Sequence, residues 1–237
     1  MILAVHQPNF LPWVGYFSKL AASDSFVLLD EVQFPRGKSP ANRAIVQGPN
    51  GPTELVLPVS IPKGREGKAS YREVGISEGK WRKKFLKTLE MGYKKTPYFE
   101  EHFPFIKELL GMRDLCEMNI AFVRYVVQEL GLETELSLLS EHRGIRDEKL
   151  DRIFDLCHSK GAEVYLSGKG AAKYNDPVRF EAAGISLYYT EKPVFEEPVM
   201  QESVEHGMSV LDPLFRLGKG RCAELFRDGT AIRFSKA

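Results

Sequence analysis

The chain has 237 residues and balances 33 Lys and Arg against 32 Asp and Glu, which gives a net charge of +1. This balance argues against a general nucleic-acid coat and a polybasic membrane protein, and no apolar run approaches the roughly 18 residues that a membrane-spanning helix needs. The three cysteines, Cys116, Cys157 and Cys222, are too few and too far apart for a disulfide framework or a CxxC zinc site, so a cytoplasmic location is expected.

The first sixty residues alternate between strand-like and helix-like segments. Apolar runs at residues 2–5 and 25–29 predict buried strands, and a helix is predicted between them from about Pro12 to Ala22. A further strand is predicted at residues 54–59, after a turn rich in proline and glycine. A strand, a helix and a strand within about thirty residues have the size of a βαβ unit.

The middle of the chain shows the apolar spacing of helices. One helix is predicted to be capped by Ser77, and a second to begin at Pro97. A third is predicted over residues 115–130, with Gly131 as its C-terminal stop.

Beyond residue 131, strands and helices alternate again. Strands are predicted at residues 136–139, 164–166 and 186–189. A helix capped by Asp147 lies between the first two, and a last helix is predicted at about residues 210–217.

This order of elements predicts one α/β domain over residues 1–237, with a mostly parallel sheet and a helical insertion at about residues 77–131. In such sheets, ligands bind at the carboxyl ends of the strands. The rule selects residues 5–9, Asp30 and the turn at residues 167–170 as candidate site segments.

The segment after the first predicted strand carries polar side chains of several kinds. His6 can accept or donate a proton near neutral pH, and Gln7 and Asn9 each offer a donor and an acceptor. Trp13 and Tyr16 provide flat rings that can stack on a base or a sugar. Taken singly, each side chain also suits a structural role, as a core histidine, a helix cap or a core aromatic. Taken together, polar groups on a backbone fixed by two prolines and a glycine favour a functional site.

Two further segments favour the binding of an anion. Asp30 ends the second predicted strand and is followed by Arg36, Lys38 and Arg43, which suits either a carboxylate beside a phosphate clamp or a solvated loop. The turn at residues 167–170 joins a strand to a helical start and can form a nest of N–H groups. It lacks the spacing of a Walker A motif and of the full dinucleotide-binding motif.

The charge pattern indicates a basic segment, and the motif spacing argues against a metal site and a GxSxG nucleophile. Cations greatly outnumber acids between Ile61 and Lys95, which suits a phosphorylated substrate, an anionic membrane surface or a solvated helix face. The five histidines have no HxH, HxxxH or HExxH spacing, so no metal site is predicted. No GxSxG nucleophile motif is present.

Several motifs resemble the WbqC-like family. Residues 6–17, HQPNFLPWVGYF, form the most specific of them, and the resemblance spans nearly the whole chain. The segment KSPA at residues 38–41 departs from the family, which more often has basic and aromatic residues there. The further matches are Asp30 with Val32-Gln33-Phe34, Asn42-Arg43, Trp81, Tyr93 with Pro97-Tyr98-Phe99, Tyr165-Leu166-Ser167-Gly168 with Tyr174, and Ser209-Val210-Leu211-Asp212-Pro213-Leu214-Phe215 with Gly218.

The resemblance implies a protein of bacterial O-antigen and other surface-polysaccharide gene clusters that modifies amino sugars by adding an acyl or aminoacyl group. A more distant resemblance links residues 9–16 to the N-x-x-x-H-x-G-H signature of class I aminoacyl-tRNA synthetases and related nucleotidylyltransferases, which implies a Rossmann-like sheet. Asn9 and Gly15 match that signature. Trp13 and Tyr16 stand where it has phosphate-binding histidines, which argues against ordinary adenylate chemistry.

These observations lead to the hypothesis of a transferase that acts on a phosphorylated or nucleotide-linked amino sugar. His6 is the predicted general base, and Asp30 is predicted to bind a sugar hydroxyl or to position the amine. An ATP-dependent adenylate-forming enzyme and a non-catalytic sugar-nucleotide-binding or scaffold protein remain as alternatives. The cofactor stays open between ATP with Mg²⁺ and an acyl donor; no nucleic-acid partner is expected, and peripheral membrane contact and oligomeric state stay open. The predicted substrate-binding residues are Gln7, Asn9, Trp13, Tyr16, Gln33, Arg36, Asn42, Arg43, Ser167, Gly168, Lys169 and Tyr174.

Overall fold

The computed structural model describes residues 1–62, 68–228 and 234–237. Strands and helices alternate at both ends of the chain, and three helices lie in the middle. In chain order the elements are β1 (Ile2–His6), α1 (Val14–Ala21), β2 (Ser25–Leu28), β3 (Arg43–Gly48), β4 (Gly51–Val56), β5 (Val59–Ser60), β6 (Gly75–Ile76), α2 (Trp81–Tyr93), α3 (Phe99–Leu109), α4 (Leu115–Leu130), β7 (Glu135–Leu138), α5 (Lys149–Lys160), β8 (Val164–Gly168), α6 (Pro177–Ala182), β9 (Ser186–Thr190), α7 (Pro198–Glu205), α8 (Leu211–Arg227) and β10 (Phe234–Lys236).

A six-stranded sheet forms the centre, in the order β10-β9-β8-β1-β2-β7. The five strands from β9 to β7 are parallel to their neighbours, and β10 is antiparallel to β9. The structure therefore confirms a mixed α/β fold with a mostly parallel sheet. The chain runs outward from β1 through β2 to β7 and then returns to the other side of β1 as β8. Connections thus leave β1 and β8 in opposite directions, which opens a crevice at their carboxyl ends.

Helices cover both faces of this sheet, because alternate strand residues point to opposite sides. Ala4, Phe26 and Leu166 belong to the larger apolar cluster, together with residues of α1 to α4, α7 and α8. Leu3, Val27 and Tyr165 belong to the smaller cluster, which α5 and α6 complete. The result is a three-layer arrangement in which the ends of the central strands are the part left for a ligand.

The predicted helical insertion is present as α2, α3 and α4. The structure confirms α4 over residues 115–130: Asp114 accepts a hydrogen bond from the Glu117 N–H at 2.8 Å, and Gly131 ends the helix at a φ of 55°. The preceding helix α2 begins at Trp81, and Ser77 does not cap it; the Ser77 carbonyl accepts a hydrogen bond from the Trp81 indole at 2.9 Å instead.

Three local predictions were wrong or incomplete. Of the strand predicted at residues 54–59, residues 54–56 belong to β4, which forms a separate hairpin with β3, and residue 59 begins β5, which pairs with β6. The helix α7 was not predicted. The predicted end of the last helix near residue 217 coincides with a kink in α8, where Gly218 adopts a non-helical φ of 77°, and a second helical stretch, which was not predicted, continues to Arg227. Asp147 is not the cap of α5, which begins at Lys149.

No helix over the described residues combines the length and the apolar character needed to cross a membrane.

Candidate functional site

A cleft of about 1750 Å³ opens at the carboxyl ends of the parallel strands. Its walls come from the ends of β1 and β8, from the loop after β2, and from the first turn of α5. This is the position that the crossing from β7 back to β8 predicts for a ligand. Of the predicted site residues, the cleft is lined by His6, Gln7, Trp13, Tyr16, Gln33, Arg36, Ser167, Gly168, Lys169 and Tyr174.

His6 is the last residue of β1 and has the geometry of a neutral base. Its Nδ1 lies 3.2 Å from the carbonyl oxygen of Gln7, and because a carbonyl only accepts, Nδ1 carries the proton. The lone pair is then on Nε2. Burial lowers the pKa of His6 well below its ordinary value, and the nearby Lys19 cation lowers it further. The rings of Trp13 and Tyr16 lie 5.7 and 4.7 Å from the imidazole, centre to centre, and fix its orientation.

Lys19 is a cleft residue that sequence analysis did not select. It lies on α1, is only 4 % exposed, and borders the cleft. Its Nζ donates a hydrogen bond of 2.8 Å to the carbonyl oxygen of Val5 in β1. Burial lowers the pKa of Lys19 to about 7. The available signal was its spacing: Lys19 follows Tyr16 by three positions, so both lie on the buried face of α1.

The backbone near Pro8, within residues 6–17, is held by hydrogen bonds from a side chain of the distant helix α4. Asn119 of α4 donates hydrogen bonds of 2.9 Å to the carbonyl oxygens of Pro8 and Ala41. Asn9 lies within this held segment, is only 3 % exposed, and does not line the cleft. Its packed position favours a structural role, while Gln7 and Trp13 on either side of it reach the cleft.

The loop after β2 is also fixed by backbone bonds. The Phe34 N–H donates to the Ala69 carbonyl at 2.8 Å, and the Tyr71 N–H donates to the Val32 carbonyl at 3.1 Å. This pairing places Gln33 and Arg36 in the cleft wall.

Asp30 does not line the cleft. It is fully buried, and its carboxylate accepts hydrogen bonds from Arg72 Nη1 at 2.7 Å and from the Ser140 hydroxyl at 2.7 Å and N–H at 3.0 Å. These bonds join three segments just beneath the site. We therefore interpret Asp30 as part of the support of the cleft.

Asn42 and Arg43 lie at the start of the hairpin and also outside the cleft lining. Asn42 donates a 2.8 Å hydrogen bond to the Leu57 carbonyl, and Arg43 pairs with Glu54 at 2.8 Å. Both contacts join neighbouring segments of the chain, which favours a structural role for the pair.

The turn after β8 forms the opposite wall. Ser167 is buried and its hydroxyl accepts a hydrogen bond of 3.0 Å from the Asn175 amide. The next turn, residues 169–174, carries Lys169, which pairs with Glu191 at 2.9 Å. Tyr174 is half exposed, and the ammonium groups of Lys149 and Lys173 lie 4.1 and 4.9 Å from its ring centre. The hydrogen bond to Lys173 lowers the pKa of Tyr174.

Three of the motifs on which the resemblance rests, at residues 6–17, at residues 32–34 and at residues 165–168 with Tyr174, contribute residues to the lining of the cleft. The model of the WbqC-like protein family matches residues 7–223. The chain belongs to the WbqC-like protein family. It is similar to Rv1507c, an uncharacterized protein of Mycobacterium tuberculosis, with 26 % identity over 220 residues that cover 91 % of this chain and 94 % of that protein. No solved structure matches this chain.

In this WbqC-like protein, cations outnumber carboxylates around the cleft. Sequence analysis missed most of them, because their proximity depends on the strand order. The acidic lining residues are Glu31, Glu73, Asp147, Glu148 and Glu191, and the basic ones are Lys19, Arg36, Lys68, Lys149, Arg152, Lys169 and Lys192. Because burial lowers the pKa of Lys19 to about 7, the excess among the described lining residues is only one to two positive charges, which suits an anionic ligand.

Within the described residues, one group of side chains has the spacing of metal ligands, and none of its members lines the cleft. Glu101, His102 and Glu129 place one ligand atom each within 4.8 Å of one another. The Lys219 ammonium lies 3.1 Å from Glu101 and 3.4 Å from Glu129, and His102 Nδ1 lies 2.6 Å from the Tyr125 hydroxyl. The two carboxylates are therefore paired with Lys219 and His102 Nδ1 with Tyr125, whereas His102 Nε2 is buried without a hydrogen-bond partner in the described part of the chain.

Proposed function

We propose that this protein is a transferase that adds an acyl or aminoacyl group to an amino sugar carried on a nucleotide or another phosphorylated group. The observation that carries the proposal is a neutral histidine, His6, in a cleft with a small excess of positive charge at the carboxyl ends of the strands. In the family context, such a precursor belongs to the assembly of bacterial surface polysaccharide.

His6 has the properties that this transfer needs. Nε2 accepts a proton from the sugar amine while the amine nitrogen forms a bond to the acyl carbon of the donor. The leaving group departs with the electron pair of its bond to that carbon and then takes the proton from Nε2. A base held neutral by burial is ready for this step at neutral pH.

The other lining residues are suited to hold the two substrates. Arg36, Lys169 and the N–H groups of the Ser167–Gly168 turn provide positive charge and donors for phosphate. Gln7 and Gln33 provide amide groups for sugar hydroxyls. Trp13 and Tyr174 provide rings for stacking, the latter already flanked by two lysines.

The first experiment is calorimetry with UDP- and dTDP-linked amino sugars and with ATP, each with and without Mg²⁺. We expect binding of a sugar nucleotide to wild type and, within about twofold, to His6→Asn, because the base acts on the amine and adds little to ground-state binding. Turnover with an acyl donor is expected to fall by about 10²- to 10⁴-fold in His6→Asn. His158→Asn, at an exposed histidine on the far turn of α5, is the matched control and is expected to keep full activity.

The strand order favours one second candidate, an ATP-dependent adenylate-forming enzyme, because sheets of this order bind nucleotides at the same crevice. ATP binding that requires Mg²⁺, together with release of pyrophosphate, would replace the acyl-transfer proposal with this one. Tight sugar-nucleotide binding without turnover, unaffected by His6→Asn, would instead assign a non-catalytic binding or scaffold role.

A further inference from the structure

Lys19 is buried beside the cleft without a carboxylate partner. Among the described residues, no carboxylate oxygen lies within the 4.0 Å of its Nζ that an ion pair requires. Its neighbours are the Val5 carbonyl, at 2.8 Å, and the Phe26 ring, whose centre is 5.5 Å away. Buried lysines are normally paired, since an unpaired buried cation costs several kcal/mol.

These surroundings favour the uncharged amine. One hydrogen bond to the Val5 carbonyl uses one N–H of a neutral amine and leaves the nitrogen lone pair unused. His6, which follows Val5 in β1, is a titratable neighbour whose pKa the Lys19 charge lowers, and burial itself favours its neutral form. A neutral lysine amine is a nucleophile toward carbonyl carbon.

We propose that Lys19 is a carbonyl-reactive amine, which holds an aldehyde or ketone that carries a phosphate or another anionic group as an imine in the cleft. Nζ attacks the carbonyl carbon to form a C–N bond and a carbinolamine. The carbinolamine oxygen then takes up a proton and leaves as water, and a C=N bond remains. No oxidant or reductant is needed.

The cleft supplies the other groups for this step. Neutral His6 can relay the proton from nitrogen to oxygen, and the cations of Arg36 and Lys169 suit the anionic group of the ligand. The inference goes beyond the proposed acyl transfer, since it concerns the reactivity of one amine and holds whether or not His6 acts as the base of that transfer.

The test uses the full-length protein and pyridoxal 5′-phosphate as the probe, because this compound carries an aldehyde and a phosphate. The protein is incubated with a substoichiometric amount near pH 7, reduced with borohydride and mapped by peptide mass spectrometry. At pH 7 about half of an amine with a pKa near 7 is neutral, against about 0.03 % of an ordinary lysine. Restricted access reduces this advantage, so we expect Lys19 to be labelled at least about tenfold more than the mean exposed lysine.

Two controls separate the imine from simple affinity for the probe. Pyridoxine 5′-phosphate, which has an alcohol in place of the aldehyde, is expected to give no adduct and to reduce labelling by competition. Lys19→Met is expected to lose the preferred adduct, and Lys87→Met, at an exposed lysine of α2, is expected to keep it.

Labelling spread over the exposed lysines, with Lys19 unmodified in wild type, would overturn the inference, and this result needs no variant to fold. It would leave the acyl-transfer proposal standing, because that proposal is judged by turnover in His6→Asn. Conversely, preferred labelling of Lys19 supports the inference even where no acyl transfer is found.

Discussion

His6 and Lys19 show how the same burial acts on two bases. Both side chains lie at the floor of the cleft, and burial lowers both pKa values because it disfavours a cation. The Lys19 charge also lowers the pKa of His6, so simultaneous protonation of the two groups is disfavoured. The consequence is a neutral His6 beside a Lys19 amine that is about half neutral at pH 7, in a cleft whose remaining cations favour an anionic ligand.

The burial of Lys19 should make the free energy of unfolding depend on pH. Its pKa is about 7 when folded and 10.5 as an unperturbed lysine, so between these values the unfolded chain binds more protons and stability rises with pH. Below pH 7, burial of the Lys19 cation lowers the free energy of unfolding by its full amount, which is no more than about 5 kcal/mol. This loss disappears as the pH rises toward 10.5. We expect Lys19→Met to be more stable than wild type at pH 7, by an amount that shrinks as the pH rises to 10.

Urea unfolding of both proteins at several pH values measures this difference. Lys87→Met, at an exposed lysine of α2, serves as the control. A constant difference between wild type and Lys19→Met from pH 7 to 10 would show that Lys19 is charged in the folded state.

At the level of elements, Asp30 connects segments that are far apart in the chain. It follows the end of β2, and its carboxylate bonds reach Arg72, in the turn before β6, and Ser140, just after β7. The loop after β2, which lines the cleft, is therefore fixed at its base. A buried carboxylate with three donors maintains this geometry better than apolar contact alone, because each bond has a direction.

Asp30→Asn is expected to destabilise the protein by about 2 kcal/mol. The loss is below the 3–5 kcal/mol typical of a broken buried pair, because the Arg72 side chain is 44 % exposed and water can solvate it. Chemical denaturation measures the change, and Glu31→Gln at the exposed neighbouring position should stay within about 0.5 kcal/mol of wild type. If Asp30→Asn kept its stability but lost sugar-nucleotide binding, Asp30 would have to be assigned to ligand binding and not to support of the cleft.

At the scale of the whole molecule, the helical insertion and the sheet share one apolar cluster. Phe26 of β2, Phe122 of α4 and Phe215 of α8 are all part of it. The hairpin contributes as well: α2 packs on β3 so closely that a Cβ on Gly92 would overlap the Gln47 carbonyl. The insertion is thus packed into the core that supports the cleft.

This shared core predicts a single cooperative unfolding transition. The chain has two tryptophans, Trp13 at the cleft and Trp81 on α2, so Trp13→Phe and Trp81→Phe each leave one local fluorescence probe. We expect the fluorescence midpoint of each variant in urea to coincide with its own circular-dichroism midpoint. A Trp81 signal that changes at lower urea than the sheet would show that the insertion unfolds separately.

The sequence predicted those features that depend on neighbouring residues. The helix α4 follows from its apolar stripe and its C-terminal end from Gly131, whereas the cap at Asp114 was not predicted. The buried strands β1 and β2 follow from two apolar runs, and the rule for parallel sheets selected the segments that contain His6 and Ser167.

The features that depend on distant partners could not be predicted. The burial of Asn9 follows from packing around a segment that Asn119 holds, 111 residues away from Pro8. The position of Asp30 depends on Ser140, and the proximity of Lys149 to Tyr174 depends on the order of the strands. Periodicity carries no information about such pairs, because it records only which side of its own element a residue faces.

The direction of β10 has a practical consequence. Because β10 runs antiparallel to β9, Ala237 lies beside Leu187 near the start of that strand, and Ile2 begins β1 at the same edge of the sheet. An affinity tag or a biotin attached at either end would therefore emerge opposite the cleft. Protein immobilised through such a tag would present the open mouth of the cleft to solution, so surface-based screening of sugar nucleotides and aldehydes could use either terminus.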